Sequence, residues 1–125
     1  MSYSISIVDS ETEELVFFEK PHAIFGSNVC IGGTTQASLD VTYNYSDFYY
    51  STMGGRGIRS IYGVPLADTI ERLDAAISEL GSDPPSDDYW AATEGNARTA
   101  LENLKKLAEM ALEEFPDRAM EFQGD

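Results

Sequence analysis

The spacing of apolar residues changes partway along this chain, and that change is the tightest constraint on its fold. Near the N-terminus Tyr3, Ile5 and Ile7 alternate with serines, and further on Leu39, Val41, Tyr43 and Tyr45 alternate with Asp40, Thr42 and Asn44. A period of two places the apolar set on one face of an extended strand. In the second half the spacing becomes three and four, first in Leu66, Ile70, Leu73, Ile77 and Leu80, then in Ala97, Leu101, Leu104, Ala108, Ala111 and Leu112. Such stripes belong to amphipathic helices that bury one side. Strand patterns followed by helix patterns predict an α+β fold, a small antiparallel sheet packed with two long helices.

Local signals set the expected boundaries. Pro65 suits a helix first turn and Gly81 a stop, which gives a helix over about 65–80. Thr93 is placed to cap the second helix, about 94–114, and Pro116 marks its end. At the N-terminus the polar run Asp9 to Glu14 reads as the turn of a hairpin whose second strand resumes at Leu15 to Phe18. The clearest strand is 39–45. After it Ser46 is positioned to cap a short helix over Asp47 to Met53, ended by Gly54-Gly55. The glycines at 26, 32 and 33 give 21–36 the look of loop and short extended pieces, and GSDPPS at 81–86 that of a stiff connector. Met120 and Phe122 alternate with polar neighbours, which leaves room for one short C-terminal strand in the sheet. A chain of 125 residues has the size of one core, so a single domain over 1–125 is expected.

Charge narrows the partners. Twenty-two carboxylates against eight lysines and arginines leave a net charge of -14 and a pI near 4.2. This disfavours direct binding to nucleic acid or to an anionic membrane and suits a basic partner. The acidity reads either as a solubility device or as a charge mimic of nucleic acid. Cys30 is the lone cysteine, so no intrachain disulfide forms, and its apolar setting, VCIGG, suits a reduced buried thiol in an intracellular protein. The N-terminus has no signal-peptide pattern, and no apolar run approaches the roughly 18 residues of a membrane span. The expectation is a soluble, unexported chain.

Leu39 to Gly63 stands out from this background. It holds six aromatics between Tyr43 and Tyr62, and Arg56 and Arg59 balance Asp40 and Asp47, so the block is neutral within an acidic chain. On a continued strand Asn44 shares a face with Thr42, where it either satisfies backbone at a corner or contacts a ligand. Gly54-Gly-Arg-Gly-Ile-Arg59 combines amides and guanidiniums that suit a phosphate or carboxylate, although the spacing matches no P-loop. The alternative role for Arg56 and Arg59 is as internal clamps on surplus carboxylates. Trp90 follows Asp87 and Asp88 and precedes a helix start, a setting that favours a core or lid residue over one that stacks on a ligand. The helix amides from Thr93 to Asn96 offer an anion site.

No set of residues forms a catalytic signature. Asp87 and Asp88 are adjacent rather than spaced as metal-loop ligands, and one histidine provides no histidine-rich metal site. His22 and Cys30 are the remaining base and nucleophile pair, both in the loop region. Neither a metal nor a cofactor is expected.

The combination TYNYS at 42–46, GIRSIYG at 57–63 and DDYWAATEGNA at 87–97 resembles a group of small hypothetical proteins encoded in bacteriophages and prophages. The resemblance covers roughly residues 1–112, and the EEFPDRAMEFQGD ending departs from the shorter tails of that group. It implies expression in the cytoplasm of a bacterial host and supplies no activity and no catalytic residues. Two functions follow as expectations. The first is a small acidic, non-enzymatic phage or prophage protein that binds a host protein, in its sharper forms a nucleic-acid-binding or defence protein that it inhibits. The alternative is a binder of a nucleotide or other anion, with Asn44, Arg56, Arg59, Tyr62 and Trp90 around one pocket. The apolar helix stripes leave self-association open.

Overall fold

The serine-spaced alternation at the N-terminus forms a strand of eight residues, β1 (Ser2–Asp9), and the rest of the sheet is built around it. The computed structural model describes residues 2–22, 24, 34–88 and 90–125. The expected buried thiol at Cys30 and the glycines at 26, 32 and 33 lie outside the described residues. Downstream come β2 (Phe17–His22), β3 (Thr34–Gln36), β4 (Ser38–Thr42), α1 (Ser46–Met53), α2 (Leu66–Glu79), α3 (Glu94–Glu114) and β5 (Met120–Gly124). Strand β1 is central, with β4 and β5 antiparallel on its two edges. Tyr3 faces Val41, Ile5 faces Leu39 and Ile7 faces Phe122. All six are buried on the side that meets the helices. The opposite face is polar, and there the Ser6 and Ser38 hydroxyls lie 2.7 Å apart in a hydrogen bond. This is the predicted α+β arrangement, with the C-terminal strand included.

The N-terminal hairpin is shorter than its sequence pattern suggests. The acidic turn closes with the Asp9 amide donating to the Glu14 carbonyl at 2.9 Å, and Val8 pairs with Leu15. At Ile7 the ladder divides: Val16 N–H donates to Ile7 O, Ile7 N–H to Ala37 O, and Ala37 N–H to Val16 O. Beyond that point β4 already occupies this edge of β1. Strand β2 therefore pairs with β3 in a separate two-stranded ribbon. His22 is buried in this ribbon, with Nε2 donating to the Gln36 carbonyl at 2.8 Å and Nδ1 accepting from the Ile24 amide at 3.2 Å. Both ring nitrogens are thus held by backbone.

Strand 39–45 also ends early. Strand β4 stops at Thr42, opposite Ser2, and Tyr43–Tyr45 form a single 3-10 turn. The Thr42 hydroxyl accepts from the Asn44 amide, a local bond that competes with continued pairing. Thr42 and Asn44 therefore do not share a strand face: Thr42 is buried and Asn44 is exposed. Because this turn runs straight into α1, Ser46 is helical rather than a cap, and its hydroxyl bonds the Tyr3 hydroxyl at 2.7 Å. The helix ends at Gly54, as its sequence indicates.

The two long helices match their periodicity closely. Leu66, Leu73, Ala76 and Leu80 from α2 and its end are buried, and so are Ala97, Ala100, Leu101, Leu104, Leu107, Ala108 and Ala111 from α3. They join the inner face of the sheet in one apolar cluster. Truncating a buried leucine of this kind to alanine costs about 2–5 kcal/mol. The Thr93 hydroxyl caps α3 by accepting from the Asn96 amide at 3.1 Å.

Candidate functional site

Two groups of side chains hold the residues singled out by sequence. The first is a tyrosine corner where β1, the turn after β4 and the C-terminal strand meet. The rings of Tyr3 and Tyr43 pack edge to face with centroids 4.5 Å apart. The Arg59 guanidinium sits 4.9 Å from the Tyr3 ring centre, a cation–π contact, while its Nε donates to the Asp125 backbone oxygen at 2.8 Å. Asp125 also accepts, through Oδ1, from the Ser4 amide at 2.9 Å. Arg59 thus acts as a clamp that ties the last strand down.

Tyr62 joins the same corner through a bridge to Phe122, and its hydroxyl is buried with no hydrogen-bond partner among the described residues. Burial pushes the Tyr62 phenol well above its ordinary pKa, and the nearby Asp125 charge adds to the shift. Burial raises Tyr3 as well, against the opposing bond from Ser46. Both phenols are therefore protonated at neutral pH. The corner is closed by Gly124, where a Cβ would lie 2.5 Å from both the Tyr62 hydroxyl and the Ser4 carbonyl oxygen. It is packed tightly enough that only a glycine fits at that position.

The second group is the loop between α2 and α3, and the first turns of α3 hold it. Asn96 is buried and uses its whole amide there. Its Oδ1 accepts from the Ser86 amide at 2.8 Å, and its Nδ2 donates to the carbonyls of Asp88 and Ala91, both at 2.9 Å. Two residues on, Arg98 donates to the Gly81 carbonyl at 2.9 Å and to the Asp83 carbonyl. Between them Gly95 allows close approach, since a Cβ there would stand 2.3 Å from the Pro84 carbonyl oxygen. Asp88 Oδ1 accepts from the Trp90 amide at 3.0 Å, and Asn44 Nδ2 donates to the Trp90 carbonyl at 2.7 Å. Trp90 is thereby fixed by its backbone while its side chain is 52% exposed. Of the expected core or lid residue, the core placement is corrected here, because the loop holds the Trp90 backbone and leaves the indole at the surface.

Asn44 and Trp90 are thus brought together, as are Arg59 and Tyr62. The Arg56 side chain is exposed at the start of the 3-10 turn Gly57–Ile61 and makes no hydrogen bond or ion pair among the described residues. Of the amides in the glycine-rich stretch, that of Gly57 donates to the Gly54 carbonyl and that of Arg59 to the Arg56 carbonyl. At the start of α3 the Asn96 amide is taken by Thr93. Surface concavities of about 460, 330 and 280 Å³ lie beside Arg118, Lys20 and Arg72 respectively, and none of the three is lined by Asn44, Arg56, Arg59, Tyr62 or Trp90. No group of three or more potential metal ligands occurs among the described residues. No helix there is long and apolar enough to cross a membrane.

Sequence reasoning missed Asn96, Gly95 and Asp125. A Gly-Asn pair in the first turn of a helix is unfavourable for helix propensity, and that is the signal that it serves another purpose. Asp125 carried no local signal.

The basic side chains share one pattern. Arg59 holds Asp125, Arg72 donates to the Ser60 carbonyl, and Arg98 holds the loop and Glu102. Lys105 joins α3 to Asp74 of α2 at 2.6 Å, and Arg118 pairs with Asp9 at 2.8 Å. Five of the eight bases are thus engaged within the chain, and among the described residues the side chains of Lys20, Arg56 and Lys106 make no hydrogen bond or ion pair. Exposed carboxylates occur along the acidic turn, both long helices and the loop before α3. No protein-family model, curated protein or solved structure matches the chain.

Proposed function

We propose that this chain is a non-enzymatic binding protein whose acidic surface engages a basic face of a partner protein. The engagement of five of its eight bases in intramolecular contacts supports this reading best. These contacts leave the net charge at -14, so the field presented to a partner stays strongly negative, while most of the bases are occupied within the chain rather than offered as separate cationic contacts. With the phage-like sequence pattern, the natural partner is a host protein that itself binds nucleic acid, a defence protein being one such target. Its basic groove would then be occupied by carboxylates in place of phosphates.

The alternative, one pocket for a nucleotide or other anion, draws less support from the geometry. Arg59 already holds a backbone oxygen and an aromatic ring, and the Tyr62 hydroxyl is buried. A tagged chain expressed in a bacterial host and captured at low salt tests the proposal. The expected result is enrichment of a basic protein that DNA displaces and that rising salt releases. Recovery of nothing above background at low salt overturns it.

A further inference from the structure

The loop before α3 is built as a platform. Its carbonyls and amides are held from below by Asn96 and Arg98 and from the side by Asn44. A single exposed aromatic is ordinary on a protein surface. Trp90 differs in two respects. Its backbone is tied on both sides, at the amide by Asp88 and at the carbonyl by Asn44, so presenting the indole to a partner requires little further ordering. It also stands in an acidic stretch: between residues 79 and 94 there are five carboxylates, Glu79, Asp83, Asp87, Asp88 and Glu94, all exposed, and no lysine or arginine. The next base along the chain, Arg98, is turned into the loop itself.

An exposed indole whose sequence neighbours include carboxylates but no lysine or arginine suits one kind of side chain. A guanidinium stacks flat on an aromatic face and accepts two-pronged pairing with carboxylates, which an ammonium does less well. Tryptophan is also the residue type most enriched among side chains that dominate binding energy. We infer that Trp90, with Asp87 and Asp88, is the docking point for an arginine of the partner protein's basic face. This inference rests on the reading of the chain as a binder of a basic protein, and it assigns that binding a place and a residue preference.

Because the chain has one tryptophan, the intact protein reports on this contact without a label. The probes are a six-residue oligo-arginine peptide, its oligolysine counterpart and oligoglutamate, titrated at low salt while tryptophan emission and heats of binding are followed. Oligo-arginine is expected to change the emission saturably, oligolysine to bind more weakly and oligoglutamate to do nothing. Trp90→Ala should weaken oligo-arginine binding roughly tenfold, and Asp87→Asn with Asp88→Asn by a similar factor. Asp88→Asn keeps a side-chain oxygen as acceptor for the Trp90 amide.

Heats of oligo-arginine binding with unchanged emission and unchanged affinity in Trp90→Ala overturn the docking point and leave the broader reading standing. Equal binding of oligolysine and oligo-arginine overturns the guanidinium contact. Absence of binding by any basic peptide at low salt removes both the docking point and the acidic-surface reading. The emission measurement needs no variant, so it decides the matter even if a substituted protein is unstable.

Discussion

The tyrosine corner and the Trp90 loop each combine an arginine clamp with an aromatic residue, yet they leave their aromatics in opposite environments. In the corner Tyr3 is 3% exposed, wedged between Tyr43 and the Arg59 guanidinium. In the loop Trp90 is 52% exposed, and the polar groups of Asn44, Asp88, Asn96 and Arg98 bond backbone rather than cover the ring. Five of the six aromatics in the dense block pack in or against the core, with Tyr50 exposed, so aromatic density in the sequence largely marks the packed region. The exposed indole is marked instead by a single tryptophan among carboxylates.

The sharpest way to break this comparison is to truncate one aromatic from each region. Tyr3→Ala removes a buried ring together with its hydroxyl's hydrogen bond to Ser46, and should cost about 3–5 kcal/mol in denaturant unfolding. Trp90→Ala should change stability by no more than about 0.5 kcal/mol. Similar losses at the two positions would mean that Trp90 is a packing residue after all.

The loop's rigidity depends on one amide. Asn96→Ala removes three hydrogen bonds at once and leaves backbone groups of Ser86, Asp88 and Ala91 to find new partners. A loss of about 2–4 kcal/mol is expected, together with faster amide exchange confined to the loop before α3. Exchange that rises equally across the sheet would show that Asn96 supports the whole fold rather than the platform.

A third prediction concerns pH, where the acidic turn and the C-terminal segment meet. The Arg118 guanidinium and the amides of Thr12 and Glu11 hold the Asp9 carboxyl down at about 2. Its folded pKa lies below its unfolded value of roughly 3.9, so its contribution is present above that value and is lost as pH falls toward 2. Melting temperature should fall through this window, and Asp9→Asn should flatten the fall. An unaltered pH profile in the variant would assign the acid sensitivity to other carboxylates. The smallest effect is expected at Tyr62. Tyr62→Phe deletes a buried hydroxyl with no hydrogen-bond partner among the described residues and should stabilise the protein by about 0.5–1 kcal/mol, whereas a loss of similar size would reveal a bond that the hydroxyl makes.

Much of the fold was legible because its signals are local. The stripes of α2 and α3, the Thr93 cap and the Gly54 stop each act within a few residues, and the structure repeats them. The sheet was less legible because its pairing is not local. The alternation at Met120 and Phe122 pointed to a strand, but nothing nearby indicates that β5 lies against β1, with Ile7 opposite Phe122. Competition for one edge of β1 decided that β2 would leave its hairpin, and no periodicity records such competition. At the candidate site the sequence drew attention to Asn44 and Trp90 through their residue types. It missed the Asn96 clamp because a helix-start asparagine reads first as part of a cap.

The most direct measurement of the contrast is charge-resolved quenching of the single tryptophan's emission. Caesium and iodide ions are compared at equal ionic strength, with neutral acrylamide as the reference. An exposed indole among carboxylates should be quenched readily by acrylamide and caesium and poorly by iodide, with the difference shrinking as salt rises. Iodide quenching as effective as that by caesium, or resistance to all three, would contradict the assignment of Trp90 to an open acidic platform.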